Sequence, residues 1–326
     1  MRSALACGLL WAVSQFASVG TFAAEAAVAK PAIKASRVAL FDLAAVGKRL
    51  VAVGERGVVM QSDDEGRTWH GDRTPTSRAL SAVAFQDDKV GIAVGHGGVL
   101  LRTEDGGKSW RVVEVSDAGR DSFLGVTLLR DGTFIAYGAF GLYVESTDQG
   151  KSWVRKKVVD DEFDRHISEV IEVGERLLLV AESGMIAVSP DKGATWRKIQ
   201  SPYEGSFFGV LKLKDGALLT YGMRGNAYRS VDGGETWTKV EIGTTSALNG
   251  GSVGADGRVV LVGNNGLIAT SDDNAQSFDL WRAPEGLPLS RALIGSDGAL
   301  IYVGVMAAGR IETASPKRQS AGNIGS

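Results

Sequence analysis

Cysteine is nearly absent from this chain: Cys7 is the single example in 326 residues. It sits in an N-terminal leader, so the remainder has no disulfide framework and no thiol chemistry. Histidine is almost as scarce. His70, His96 and His166 fall on separate segments, a poor supply for a metal centre. Proline numbers 7 against 43 glycines, and past the leader no helical period persists. Strands and tight turns must therefore carry the fold. The net charge of −2 gives no bulk attraction to nucleic acid or to an anionic bilayer.

The leader "MRSALACGLLWAVSQFASVGTFAAEA" has Arg2, an apolar stretch from Ala4 to Ala17, and small residues at Ala23 to Ala26. That order predicts a secretory signal peptide over residues 1–25 and an exported protein, periplasmic or extracellular. Ser14 and Gln15 interrupt the apolar core, which argues against a retained membrane anchor. The core follows Cys7 rather than preceding it, which argues against a lipoprotein. Residues 316–326, "PKRQSAGNIGS", read as a disordered tail.

What is abundant is repetition. A box of the form Ser/Thr-x-Asp-x-Gly-x-Ser/Thr-Trp recurs, with Asp64, Asp105, Asp148, Asp191 and Asp232 leading to Trp69, Trp110, Trp153, Trp196 and Trp237. A sixth copy, "SDDNAQSF", keeps Asp273 but has Ala275 in the glycine place and ends on Phe278. Successive aromatic positions lie 41, 43, 43, 41 and 41 residues apart. Fifteen residues before each sits a strand end and a tight link of Gly-x-x-Gly type, and a seventh link near Gly304 has no box after it. Seven units are present. Each reads as four short strands, as in "SAVAF" (81–85), "GIAVG" (91–95), "VLLRT" (99–103) and "WRVVEV" (110–115). Four strands per unit at this period predict an all-β, seven-bladed propeller over residues 26–315.

Within that scheme the box is the turn between third and fourth strands. The Asp carboxylate accepts backbone N–H bonds, the Gly supplies a left-handed residue, and the Trp leaves the turn to pack into the sheet. The box is read as structural. The links are read as two-residue hairpins with left-handed central residues. The seventh unit runs out before a fourth strand, and the segment near Val28–Lys34 precedes blade one. That segment is expected to supply the missing strand and close the ring.

The repeated box resembles the Asp-box, or bacterial neuraminidase repeat, of sialidases, some glycosidases and sortilin-type receptors. The single set of seven units, the Gly-x-x-Gly links and the leader are most similar to the photosystem II stability/assembly factor-like propellers. That second resemblance spans about residues 30–315. It implies a non-catalytic propeller, without cofactor, that helps assemble or stabilise a membrane complex.

Connectivity puts the links and the loops between blades at one mouth of the central channel. The link tips Arg56, His96, Phe140, Arg224 and Asn265 share no consensus while their glycines do, the pattern of a binding surface. Aligning "SRVAL", "SRALS", "DRHIS" and "SRALI" places Arg37, Arg78, Arg165 and Arg291 at one position in four blades. The expectation is a guanidinium ring that receives an acidic or extended segment of a membrane-complex subunit. The bland alternative is that neighbouring acids, Asp121, Asp164 or Glu285, merely pair with them.

A sialidase-like enzyme would need a Tyr beside a Glu and a separate Asp. The tyrosines are expected on second and third strands, away from the channel, and Asp42 and Glu169 one position out of register. The sequence thus favours a monomeric, non-catalytic binding protein over a secreted glycosidase or a carbohydrate-binding module.

Overall fold

In a computed structural model, residues 32–312 are described. The leader, the tail and residues 28–31 of the expected closing segment lie outside them. Six antiparallel sheets of four strands and one of three follow one another along the chain, each in the order first to fourth strand. The three-stranded sheet is the seventh, made of Leu289–Ile294, Leu300–Gly304 and Ala307–Ile311. The chain is a seven-bladed propeller.

The core is divided among the seams. Among the described residues seven apolar clusters occur, and each joins one pair of adjacent blades. One of them joins blade seven to blade one through Leu40, Leu43, Met60, Ile301 and Val303, so the ring is closed. Second strands are buried on both sides, as Gly91–Gly95 and Leu218–Gly222 illustrate. Their near-continuous apolar character follows, because each lies between two seams rather than on one surface.

The boxes fold as a repeated hydrogen-bond pattern. In the third, Ser146 Oγ donates to Asp148 Oδ1 at 2.8 Å and accepts from the Gly150 N–H at 2.8 Å. Asp148 also accepts the Ser152 N–H at 2.9 Å and its hydroxyl at 2.6 Å. The same set recurs around Asp64, Asp105, Asp191, Asp232 and Asp273. Gly150 is left-handed at φ 77°, and a Cβ there would approach Ile92 of the preceding blade to 2.2 Å. Ala275 takes the corresponding conformation at φ 60° without glycine's freedom. The aromatics do not end inside their own sheets. Trp69, Trp110, Trp153, Trp196, Trp237 and Phe278 each pack into the seam with the preceding blade.

These turns also tie stability to pH. Asp64 is held down from 3.8 to about 2, first by the Thr68 hydroxyl. For Asp148, Asp232 and Asp273 partial burial pushes upward, but hydroxyl and backbone donors together outweigh it and leave each at about 2. A carboxyl that titrates lower folded than unfolded contributes stability that is complete above its unfolded value. That contribution disappears as pH falls through the folded one. Thermal melting is therefore expected to drop steeply between about pH 4 and pH 2. A flat profile there would contradict the box hydrogen bonds.

The described part of the N-terminal segment reaches the closing seam: Ile33 and Val38 pack into the cluster shared by blades seven and one, and Val38 O accepts the Met306 N–H at 3.1 Å. Among the described residues blade seven has no fourth strand; instead Ala35–Arg37 form a short 3₁₀ turn and Ala39 makes an isolated bridge to Val305. Side chains latch the seam. Gln61, Arg102, Arg229 and Arg310 hold equivalent third-strand positions, and each donates to a carbonyl of the next box. The bonds are Gln61 to Gly107 at 2.6 Å, Arg102 to Gln149 at 2.7 Å, Arg229 to Asn274 at 3.0 Å and Arg310 to Glu65 at 3.1 Å. The last carries blade seven onto blade one.

Candidate functional site: the link face and the channel

Six links make the same turn with a left-handed pair, one residue later than the sequence suggests; in the seventh only Met306 is left-handed and Ala307 already opens a strand. The left-handed pair in blade one is Arg56 (φ 53°) and Gly57 (φ 68°), not Glu55 and Arg56. The equivalent tips are Gly97, Phe140, Ser183, Arg224, Asn265 and Met306. Holding a side chain in this conformation costs about 1–2 kcal/mol, and six of the seven tips accept that cost. Blade two is the exception for a steric reason. The Arg78 guanidinium lies over Gly97, with Nη1 1.6 Å from where a Cβ would stand.

The link face is apolar and basic at once. Phe140 is 57% exposed, its ring 4.8 Å from and edge-on to His166, and Met306 is 50% exposed. The Asn265 tip is exposed as well, and so is His96, the residue before the Gly97 tip. Arg37, Arg56, Arg78, Arg165 and Arg224 are exposed, and none forms an ion pair among the described residues. Of the acids that could have neutralised this face, Glu285 instead accepts the Tyr302 hydroxyl at 2.9 Å. Around the boxes and first turns at the other end, charges are paired. Arg49 meets Asp63 at 2.7 Å, Lys192 meets Asp131 at 2.7 Å, and Arg258 meets Asp272 at 2.9 Å. Two grooves of about 620 Å³ open beside the links. One, between blades five and six, is lined by Arg224, Lys239, Asn265, Trp281 and Arg282. The other, between blades three and four, is lined by Phe140 and Phe163, by Arg155 and Lys157, and by the acids Asp117, Asp160 and Asp161, of which Asp161 meets Lys157 at 2.7 Å.

Arg291 is not part of that face. Arg78 and Arg165 stand two residues before the buried residues that open their strands, Leu80 and Ile167, and Arg37 stands three before Leu40. Arg291 instead lies two residues after Leu289, inside its strand. The arginines precede their strands in loops of unequal length, so the buried opening residue is the better landmark.

That landmark brings out a second site. All seven first strands slip register by one residue just after their opening residue. Such a bulge re-aims a side chain, and the bulged residues, Phe41, Ser81 and Leu124 among them, line an axial cavity of about 380 Å³. At the next position the blades carry Asp42, Ala82, Gly125, Glu169, Gly209, Gly250 and Arg291. Asp42 and Glu169 therefore share one register, contrary to expectation.

Two of the glycine places are filled from the second strand. Tyr137 pairs with Gly125 and Tyr221 with Gly209, and their hydroxyls come within 2.5 and 2.3 Å of where the glycine Cβ would be. Tyr137, expected away from the channel, lines it, while the Tyr221 hydroxyl stays buried behind Gly209. The paired signals "FLGV…AYG" and "FFGV…TYG" were there to be read.

Arg291 Nε lies 3.4 Å from Asp42 Oδ1, an ion pair without hydrogen-bond geometry, and Asp42 Oδ2 accepts the Val83 N–H at 2.9 Å. Tyr137 donates to Glu169 Oε1 at 3.4 Å. The Tyr221 hydroxyl, fully buried, has no hydrogen-bond partner among the described residues. Burial pushes Glu169 up to about 7; Arg291 pulls it down, and Asp42 adds to the rise. Burial also keeps both tyrosines neutral. Among the described residues no cluster of three or more His, Cys, Asp or Glu could hold a metal, and no helix is long and apolar enough to cross a membrane.

The family model of the photosynthesis system II assembly factor YCF48 matches residues 73–289, which runs from the last strand of blade one to the first of blade seven. The chain belongs to this family. Similar solved structures include YCF48 bound to a D1 peptide, 18% identical, with a TM-score of 0.69 over 85% of this chain and 92% of that one. YCF48 from Cyanidioschyzon merolae is 16% identical, with a TM-score of 0.67 over 84% and 96%. The WD40 propeller domain of Doa1, 13% identical, scores 0.70 over 88% and 97%. At these identities the likeness is one of fold. No curated protein matches this sequence. The family match covers Arg78, Arg165, Arg224, Phe140 and Glu169, while Arg37, Asp42 and Arg291 lie beyond it.

Proposed function

We propose that this member of the family is an exported, monomeric, non-catalytic assembly factor, and that its link face binds an acidic or extended segment of a membrane-complex subunit. The observation that carries the proposal is the contrast between the two ends of the ring. Arginines near the boxes are neutralised by neighbours, whereas Arg37, Arg56, Arg78, Arg165 and Arg224 stand exposed without an ion pair among the described residues. Unpaired guanidiniums beside Phe140 and Met306 suit a peptide that offers carboxylates, carbonyls and apolar side chains together. A family member solved with a D1 peptide supports a client of this kind. The leader supports export.

A glycan-active reading would use Tyr137, Glu169 and Asp42 in the channel. It is the weaker one, because only Arg291 of the four aligned arginines reaches that level, and Asp42 already holds it. No set of guanidiniums converges there on a substrate carboxylate.

The test is capture of solubilised membrane proteins by immobilised wild type and by a triple variant, Arg37→Ser, Arg78→Ser and Arg165→Ser. Each side chain is exposed, so melting should not change. Retention should fall about tenfold or more, and most clearly at low salt, where unscreened charge contributes most. Phe140→Gly should also weaken capture while relieving a left-handed residue. Equal retention by the triple variant at every salt concentration would remove the link face from consideration.

A further inference from the structure

The channel cluster is separate from the link face, and no part of the assembly reading uses it. Its charges do not balance. Asp42, from blade one, takes up Arg291 of blade seven and also caps the Val83 N–H of blade two. Glu169 of blade four is then left without a cation of its own, touched only by a long bond from Tyr137 of blade three. Asp42, Tyr137, Glu169 and Arg291 all line the axial cavity of about 380 Å³, and Phe41, Leu124 and Phe208 on its wall offer apolar surface next to these polar groups.

The geometry points to a binding site in the central channel for a primary ammonium group on an aliphatic stem. The ammonium carries one positive charge and three N–H donors. Glu169 supplies the charge partner and accepts hydrogen bonds from the ammonium. The stem lies against Phe41 and Phe208. Two carboxylates against one guanidinium disfavour an anion. A quaternary ammonium has the charge but lacks the donors that a carboxylate accepts. A free alkylamine and the lysine side chain of a partner protein share this chemistry.

The experiment is calorimetric titration of the full chain with n-butylammonium and, separately, with acetyl-Gly-Lys-Gly amide. Tetramethylammonium and butyrate serve as controls. At least one of the two primary ammonium probes is expected to bind, and neither control should. Binding should strengthen as pH rises past about 7 and Glu169 ionises. The titratable and charged groups facing the ligand are Asp42, Tyr137, Glu169 and Arg291, and Tyr137 stays neutral over that range. Glu169→Gln should weaken binding about tenfold or more, as loss of one member of a buried charge pair does. The Arg37, Arg78 and Arg165 triple variant should bind like wild type, which separates this site from the link face. Tighter binding of butylammonium identifies a free amine as the occupant, and tighter binding of the peptide identifies a partner's lysine. Absence of binding by both primary ammonium probes, or equal affinity in Glu169→Gln, overturns the proposal.

Discussion

Arg310→Ala is expected to lower stability by about 2–4 kcal/mol, more than a surface arginine has any right to. Three observations lead there. The side chain is only 6% exposed, it donates to the Glu65 carbonyl of box one, and it faces Asp297 and Glu312. Removing it leaves a carbonyl short of a donor and two carboxylates short of their cation, and stranded polar groups cost more than the lost bond itself. Arg102→Ala supplies the comparison, because Arg102 makes the equivalent latch between blades two and three. Those blades are also joined by complete four-stranded sheets on either side. Blade seven offers three strands, so its seam with blade one depends more heavily on Arg310. Thermal or denaturant melting of both variants decides the matter. A change below about 0.5 kcal/mol, the size of an ordinary surface substitution, would place ring closure elsewhere, in the segment before Ala39.

The blades were legible in the sequence because each one repeats a turn whose chemistry is local. Asp148, Gly150 and Ser152 make their bonds within a few residues of one another, so spacing alone exposes them. The link tips were legible for the same reason, apart from the shift of one residue that placed the left-handed pair at Arg56 and Gly57. The channel was not. A bulge inserts a residue without a sequence signature, and Arg37, Arg78 and Arg165 sit in loops that vary in length. Counting from those arginines drew Arg291 into the wrong set and separated Asp42 from Glu169. Counting back from the opening residues Leu40, Ile167 and Leu289 puts all three at one level. Tyr137 and Tyr221 add a different difficulty. Their hydroxyls arrive over a neighbour's missing side chain, which is a relation between strands and not along one.

Trp153→Ala is expected to cost about 3–5 kcal/mol, the usual range for removing a large aromatic from a packed seam. Asp148→Ala should cost about 1–2 kcal/mol, comparable to losing a capping oxygen. The ratio follows from what each residue touches. Asp148 organises its own turn, whose backbone donors can turn to water when the carboxylate is gone. Trp153 is different, because it fills the seam between blades two and three beside Ile92, Phe123 and Phe134. Its indole N–H also donates to the Gly150 carbonyl at 3.2 Å, so turn and peg fail together when the ring is removed. Neither residue lies at the link end. Both variants should therefore capture membrane partners like wild type at temperatures where they remain folded. If Asp148→Ala lost its partner while melting like the parent, the box would be a binding element, and the division of labour between the two ends of the ring would have to be abandoned.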